Sequence, residues 1–317
     1  MTTKTKKQVF NRGGASDLRQ SVKNNMGRGE ELATAIVDHF NRVNSINPLW
    51  DDKEIETLLL QQKEYEVSQI GKKPDYPKMF ARFTPSSATS CDRELFFKNL
   101  KTDRDEKDME PWQKRWTENS TGAHEARQRN LLYAEKYLKN PAFKVEKLPA
   151  NAKYPLKEGL PAWEKQLENW KVIEHKGHTI VVSGMMDGIL EYKDGSRIGF
   201  EFKTKSNSVA QIKQLKDAAP YHKSQCVAYS ILFGIDEFVL TYESVAKDKW
   251  GTGMGARPDM KAFYIKVTER QRQKLLDKWV NVSAHVDTGE MIDGDNSKCM
   301  FCPFKETCIQ FSGGIKQ

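Results

Sequence analysis

The sequence lacks long hydrophobic runs and a nucleotide-binding loop. Its mean hydropathy is -0.71, and no stretch approaches the roughly 18 consecutive apolar residues of a membrane helix. The opening MTTKTKKQVF has no apolar segment of the signal-peptide kind. The pattern G-x4-G-K-[ST] is also absent, which argues against a nucleotide-driven motor. We therefore expect an intracellular, cytoplasmic protein that has no membrane partner.

Cysteine is scarce but clustered. Three of the five cysteines lie in the segment CMFCPFKETC, from Cys299 to Cys308. In a reducing compartment such clusters are more often metal ligands or catalytic groups than disulfides. The spacing C-x2-C-x5-C lets three sulfurs point at one centre, whereas a tetrahedral metal or a cluster needs four thiolates. A further sulfur must therefore come from elsewhere in the chain.

Basic residues outnumber acidic ones. The chain has 51 Lys and Arg against 43 Asp and Glu, a net charge of +8. Such an excess fits a polyanionic partner, but many basic proteins bind no nucleic acid. The charge supports a nucleic-acid function without establishing one.

Hydrophobic periodicity predicts an α/β fold. The polar region 1–80 is predicted to be a helical N-terminal extension with helices near residues 31–44 and 55–67, and residues 81–317 form the main domain. Further helices are predicted over residues 86–100 and 111–138, the second with a break near Gly122. A three-stranded meander over residues 170–205 follows. Beyond it we predict, in order, a helix over 217–233, the strands EFVLTYES and KAFYIKV, and a helix over 269–285, with WGTGMGARP as a mobile loop or hairpin connection between the strands.

Two acidic residues on the predicted meander could meet. Asp187 and Glu201 flank a turn, so neighbouring strands can place them side by side, and Lys203 shares the strand face of Glu201. Two carboxylates about 4 Å apart repel by roughly 4 kcal/mol at an effective dielectric near 20. A divalent cation removes that cost, and oxygen ligands favour Mg2+ or Mn2+, which promote phosphodiester hydrolysis. Taken alone, however, D-x13-E-x-K is more often a strand-end turn followed by a solvated strand face.

Taken together and in order, these motifs resemble the PD-(D/E)XK nuclease superfamily, in the RecB-like branch that includes Cas4-like nucleases and the iron-sulfur nuclease domain of AddB. The resemblance covers about residues 83–310. It implies a restriction-endonuclease-like core, in which a central mixed sheet is flanked by helices, followed by a C-terminal cysteine cluster. The implied function is a metal-dependent exonuclease that acts on DNA ends or single strands in recombination, repair or phage DNA processing, with recombination or replication proteins as partners.

The resemblance also implies roles for individual residues. His124, Asp187, Glu201 and the Phe202 backbone carbonyl would bind the Mg2+ or Mn2+ ion, while Lys203 would orient or help to deprotonate the attacking water. Gln225 and Tyr229 of QCVAY, which share one helix face, would look toward the active site. The family's usual glycine four residues before the histidine is replaced here by Ser120, and Glu118 and Glu125 are alternative ligands on the same helix.

For the cysteines, the resemblance implies a [4Fe-4S] cluster. Its ligands would be Cys91, in the segment CDRELFF, together with Cys299, Cys302 and Cys308. Such a cluster would close the long loop between Cys91 and Cys299. If it acts like a covalent cross-link, it would stabilise the fold by roughly 5 kcal/mol. A structural zinc ion is the alternative, because four thiolates suit it equally by geometry. The fifth cysteine, Cys226, is expected to be buried, and Arg93 to be structural or to face DNA.

Two alternatives remain open at the level of the sequence. The chain could be a non-cleaving DNA-end-binding module, or a subunit of a nuclease complex, that keeps the fold and the cluster; intact Asp187, Glu201 and Lys203 favour the enzyme. The segment WQKRW, from Trp112 to Trp116, could contact single-stranded DNA by charge and stacking. A helix face packed against the core is the favoured interpretation of that segment.

Overall fold

The computed structural model describes residues 27–46, 52–73, 75–105, 110–150, 155–167, 169–205, 208–247 and 258–311. All but the last residue of the stretch WGTGMGARP lies outside the described residues. The strands within these ranges are β1 (Ala81–Phe83), β2 (Phe143–Val145), β3 (Asn169–His175), β4 (His178–Gly184), β5 (Gly188–Tyr192), β6 (Arg197–Lys205), β7 (Glu237–Ser244) and β8 (Met260–Lys266). The helices are α1 (Arg28–Val43), α2 (Lys53–Gln69), α3 (Asp92–Asn99), α4 (Pro111–Tyr137), α5 (Val209–Gln214), α6 (Pro220–Phe233), α7 (Glu269–Thr288) and α8 (Lys305–Phe311).

The strands form two sheets. The five-stranded sheet has the order β2-β5-β6-β7-β8, and its β6 and β7 run parallel while its other pairs are antiparallel. The smaller sheet has the order β1-β4-β3, with β1 parallel to β4. The predicted α/β architecture, a central mixed sheet flanked by helices, is confirmed.

Hydrophobic side chains fill both faces of the five-stranded sheet. On one face, Leu32, Ile36 and Phe40 of α1 and Leu131 of α4 pack with Phe200 of β6. On the other face, helices α6 and α7 pack in a second cluster that also contains apolar side chains of β4 and β7. Strand β7, which is covered on both faces, is buried at every position after Glu237. The sheet is therefore the middle layer of the molecule.

The predicted meander is wrong in its connectivity. The segment HTIVVSGMMDGILEY is two strands rather than one: β4 pairs with β3 in the small sheet, and β5 pairs with β6 in the large sheet. The chain changes sheets between Gly184 and Gly188. A Cβ atom added at Gly184 would lie 2.6 Å from the Pro85 side chain, so this crossing depends on a glycine. Asp187 consequently lies in a connection and not within a strand.

The predicted break in the long helix is also wrong. Helix α4 continues through Gly122, where a glycine costs about 1 kcal/mol relative to alanine. Open space surrounds that position. Helices α1, α2, α6 and α7 lie close to their predicted bounds. Among the described residues, none of the helices combines the length and the apolar character needed to cross a membrane.

Candidate metal centre

Alternation along β6 divides its side chains between the two faces of the large sheet. Phe200 and Phe202 belong to the hydrophobic cluster that includes α1 and α4. Glu201 and Lys203 are paired across the parallel ladder with Leu240 and Tyr242, which belong to the opposite cluster. Glu201 and Lys203 therefore point toward α6, as their spacing of two residues predicts.

Asp187 lies next to the end of the β5–β6 ladder. The last paired residues there are Gly188 and Phe200, so the next pair in the antiparallel register would join Asp187 with Glu201. The Phe202 amide donates a hydrogen bond of 2.7 Å to Asp187 Oδ2. This bond fixes the carboxylate beside β6 and leaves Oδ1 on the side of α4.

Helix α4 presents His124 to Asp187. The distance from His124 Nδ1 to Asp187 Oδ1 is 3.6 Å, and the imidazole packs edge-on against the Phe202 ring. Ser120, one turn before His124, shares a hydrogen bond of 2.8 Å with Thr204 of β6. This contact ties the helix to the strand that carries Glu201.

A second contact anchors α4 on the other side of His124. Arg127 donates two hydrogen bonds, of 2.6 and 2.9 Å, to the carboxylate of Glu243 on β7. Glu243 is only 2% exposed, so the pair is charge-assisted and largely shielded from water. The sequence motif contains neither this pair nor the Ser120 bond.

Glu164 joins the site although no sequence pattern indicated it. Its carboxylate oxygen lies 3.9 Å from His124 Nδ1. His124, Glu164 and Asp187 each place one potential metal-ligand atom within 4.8 Å of the other two. No other such set of His, Cys, Asp or Glu side chains occurs among the described residues. These three residues line a cavity of about 350 Å³. Glu164 has a left-handed φ of 38° in an irregular segment, which explains why periodicity could not identify it.

Glu201 is buried beside this set. The residue is 1% exposed, and Lys203 Nζ lies 2.5 Å from its Oε1. The two groups form an ion pair, and the second oxygen, Oε2, has no hydrogen-bond donor among the described residues. Burial, reinforced by the negative charge of Asp187, raises the pKa of Glu201 to about 8. A buried carboxylate in this state is suited to a cation, because a bound positive charge would offset both causes.

The neighbouring titratable groups respond to the same charges. Burial lowers the pKa of His124, but the attraction of the Asp187 carboxylate outweighs it, so the net pKa is raised. Burial and the charge of Asp187 raise the pKa of Glu164. Lys203 also has a raised pKa, because the attraction of Glu201 and Asp187 exceeds the opposing effect of burial. The site thus concentrates negative charge that one proton or cation would relieve.

The helix pair Gln225 and Tyr229 lies on the Glu201 side of the sheet. Gln225 Nε2 donates a hydrogen bond of 2.9 Å to the Tyr229 hydroxyl. Burial and the charges of Glu201 and Asp187 raise the pKa of Tyr229. The phenol is therefore neutral and lies within the electrostatic reach of both carboxylates.

Other candidates on α4 face solvent. Glu118 and Glu125 are exposed, and neither belongs to the set around His124. Trp112 and Trp116 are 54% and 44% exposed. The favoured interpretation of WQKRW as a face packed on the core is therefore wrong, since the first turns of α4 leave both indoles open to solvent.

Four cysteines meet at one cavity. Cys91, at the start of α3, lines it together with Cys299, Cys302 and Cys308. None of these four cysteines forms a disulfide bond. The cavity therefore brings together the four thiols that a tetrahedral metal ion or a cluster would need.

Polar donors point at two of these sulfurs. The Asp295 amide donates to Cys91 Sγ at 3.1 Å, and Arg93 Nη1 donates to Cys308 Sγ at 3.4 Å. Arg93 also donates to the Ile292 carbonyl, so its role here is structural. The fifth cysteine, Cys226, is fully buried away from this cavity, as predicted.

Comparisons with known proteins show only distant similarity. No family model and no curated protein matches the chain. The structure of SSO0001 is similar with a TM-score of 0.42 and 16% identity, over 80% of this chain and 95% of that one. An alkaline exonuclease (LHK-Exo) from Laribacter hongkongensis has a TM-score of 0.41 and 9% identity, over 72% of this chain and 94% of its own. Rai1 from Scheffersomyces stipitis has a TM-score of 0.25 and 11% identity, over 74% and 67% of the two chains. No functional conclusion follows from similarity at this level.

Proposed function

We propose that this protein is a divalent-metal-dependent DNA nuclease of the PD-(D/E)XK superfamily, in its RecB-like, Cas4-like branch. One observation carries the proposal: the carboxylate of Asp187 lies between the β6 backbone and His124, beside the buried Glu201, and its charge adds to burial in raising the pKa of Glu201. Two carboxylates that meet in a buried site repel each other, and a divalent cation between them removes that cost. The substrate we propose is DNA, at its ends or as single strands.

The residues present fit a Mg2+ or Mn2+ ion. The ligands would be His124, Asp187, Glu201 and the Phe202 carbonyl, and Glu164 is added to them because it lies in the same set. A bound ion would supply Lewis acidity to a water molecule and neutralise charge on the phosphate. Mostly oxygen donors of this kind suit Mg2+ or Mn2+.

Side chains next to the proposed ion would orient the attacking water and the substrate. Lys203 carries its charge next to Glu201 and would orient the attacking water or offset phosphate charge. Gln225 and the neutral Tyr229, which are joined by a hydrogen bond, would position the substrate on the α6 side. Burial of this side of the site would strengthen each of these electrostatic interactions.

For the cysteines we propose a [4Fe-4S] cluster held by Cys91, Cys299, Cys302 and Cys308. The shared cavity and the N–H donors directed at Cys91 and Cys308 support a thiolate site, and the arrangement of one cysteine before the core and three after it favours the cluster over zinc. The cluster would hold α3 against the C-terminal segment. Its role would be structural.

Digestion of linear DNA tests the proposed activity. Wild type, Asp187→Ala and the control Asp38→Ala, which changes an exposed carboxylate of α1, are incubated with Mn2+ and end-labelled DNA. We expect wild type and the control to degrade the DNA and Asp187→Ala to lose at least about 100-fold in rate, since each lost ligand weakens both metal binding and charge stabilisation. Equal digestion by all three proteins would contradict the proposal.

The same assay separates the rival function. A non-cleaving DNA-end-binding module would leave DNA intact with wild type in Mg2+ and in Mn2+ and would still retard it in a gel. The retained charges of Asp187, Glu201 and Lys203 favour the enzyme, because a module that only binds DNA ends would not need them.

A further inference from the structure

A basic groove lies on the β1 side of the molecule, outside the candidate metal centre. It encloses about 660 Å³ between β1, α3 and the segment after α3. Five cationic side chains line it and no Asp or Glu does, namely Lys78, Arg82, Lys98, Lys101 and Arg104. The hydroxyls of Thr84 and Ser86 lie along the same wall. A concave surface with one sign of charge attracts polyanions.

Three of these cations are free to bind a ligand. Lys78, Lys101 and Arg104 are exposed and form no ion pair with any other residue that the structure describes. Lys98 is paired with Glu94. The Arg82 guanidinium lies 4.8 Å from the centre of the Tyr76 ring, so its orientation is already fixed. The groove thus combines one pre-oriented cation with three uncompensated ones.

One end of the groove lies close to the candidate metal centre along the chain. Phe83 of β1 pairs in parallel with Val182 of β4, and the Pro85 side chain touches Gly184 at the end of β4. Asp187 follows Gly184 by three residues, so their Cα atoms are at most about 11 Å apart. Thr84 and Ser86 of the groove wall flank Pro85, so this end of the groove leads toward the segment that carries Asp187.

We infer that this groove binds the phosphodiester backbone of the DNA strand that enters the metal centre. That the bound strand leads to the metal centre rests on the proposed nuclease function. That the groove binds a polyanion rests on its charge and its concave shape. Lys78, Lys101 and Arg104 contact successive phosphates, and the exposed Ser86 hydroxyl donates a hydrogen bond to a phosphate oxygen nearer to Asp187. Contacts of this kind position the strand without reading its sequence.

Salt-dependent binding tests the inference separately from cleavage. The affinity for a fluorescent single-stranded oligonucleotide, and for the matching duplex, is measured in EDTA, where a metal-dependent nuclease is inactive. The groove variant carries Lys78→Gln, Lys101→Gln and Arg104→Gln. The control carries Lys144→Gln, Arg270→Gln and Lys274→Gln, which remove the same charge from exposed positions outside the groove.

The groove variant is expected to bind at least about tenfold more weakly, and its slope of log affinity against log salt to fall by about two on the single strand, at about 0.7 per lost phosphate contact. The control is expected to keep the wild-type slope. Equal slopes for the groove variant and the control would overturn the inference even if wild type cleaves DNA. A reduced slope in a protein that never cleaves DNA would leave the groove standing and remove the nuclease.

Discussion

The Phe202 amide donates a hydrogen bond of 2.7 Å to Asp187 Oδ2, which joins the centre of the large sheet to the connection between the two sheets. This bond holds one oxygen of the carboxylate and leaves the other beside His124. Because the two residues are 15 apart in sequence, neither position alone indicates the contact. It makes the sheet crossing part of the candidate metal centre.

The position of α4 is expected to depend on Arg127. Replacing Arg127 with Ala leaves the buried Glu243 with one cation fewer, and breaking a buried pair costs on the order of 3 kcal/mol. Arg129→Ala removes the partner of Glu56 at the surface and is expected to cost less than about 1 kcal/mol. Urea unfolding of both variants checks the difference, and equal losses would show that the Arg127 pair is no more important than a surface contact. Adding Glu243→Gln to Arg127→Ala should recover part of the stability, because it removes a buried charge whose remaining cationic partner is the more exposed Lys247.

Acid is expected to destabilise the protein through His39. This imidazole is 1% exposed, packs edge-on against Phe40 and Phe143, and has no hydrogen-bond partner among the described residues. Burial lowers its pKa to about 4. The unfolded chain therefore binds a proton more readily than the folded one, so this contribution to stability is present above about pH 6.5 and is lost as the pH falls toward 4.

Between pH 7.5 and 5 the loss from His39 should amount to about 2 kcal/mol. His39→Leu is expected to reduce the pH dependence of unfolding by that amount. Denaturation curves at the two pH values provide the measurement. A His39→Leu variant that loses as much stability in acid as wild type would refute the assignment.

The cysteine cavity predicts a selective effect of cysteine substitution. Cys308→Ser is expected to abolish iron and inorganic sulfide in anaerobically purified protein and to lower its melting temperature, since a ligand of the proposed cluster is lost. Cys226→Ala should retain the cluster, because Cys226 does not line that cavity. Colourless wild-type protein with stoichiometric zinc would contradict the cluster. Equal iron content in both variants would contradict the ligand set.

A divalent ion should stabilise the fold through Glu201. Binding to the folded state alone adds about 2.7 kcal/mol when the free ion is at 100 times its dissociation constant. We expect Mn2+ to raise the melting temperature of wild type and to have little effect on Glu201→Gln, which keeps the size of the side chain but loses its charge. Glu191→Gln, at an exposed position of β5, is the control that should respond as wild type does. An equal Mn2+ response in Glu201→Gln would exclude this carboxylate as a ligand.

The sequence predicted the strands and helices whose hydrophobic pattern is set by their own burial. The periodicity of β7, β8 and the long helices follows from one buried face or from full burial, so these elements are where the pattern predicts them. The division of HTIVVSGMMDGILEY depends on the contact between Gly184 and Pro85, about 100 residues apart. Periodicity does not contain such contacts, and the meander prediction failed there.

Some residues of the candidate site could be predicted from the sequence, whereas others depend on tertiary contacts. Glu201 and Lys203 share a face because a strand alternates, which the sequence alone indicates. Glu164 comes from an irregular segment with a left-handed backbone, and its approach to His124 depends on tertiary packing. The supporting contacts Ser120–Thr204 and Arg127–Glu243 likewise join residues more than 80 positions apart.

Direct Mn2+ binding to wild type and Asp187→Asn, measured by electron paramagnetic resonance or calorimetry, tests the central claim that Asp187 and its neighbours bind a divalent ion. Asparagine keeps the size of the side chain but removes the charge that faces His124. We expect one Mn2+ site per chain in wild type and an affinity at least about tenfold weaker in Asp187→Asn. Undetectable Mn2+ binding in wild type, or equal affinity in the two proteins, would contradict it.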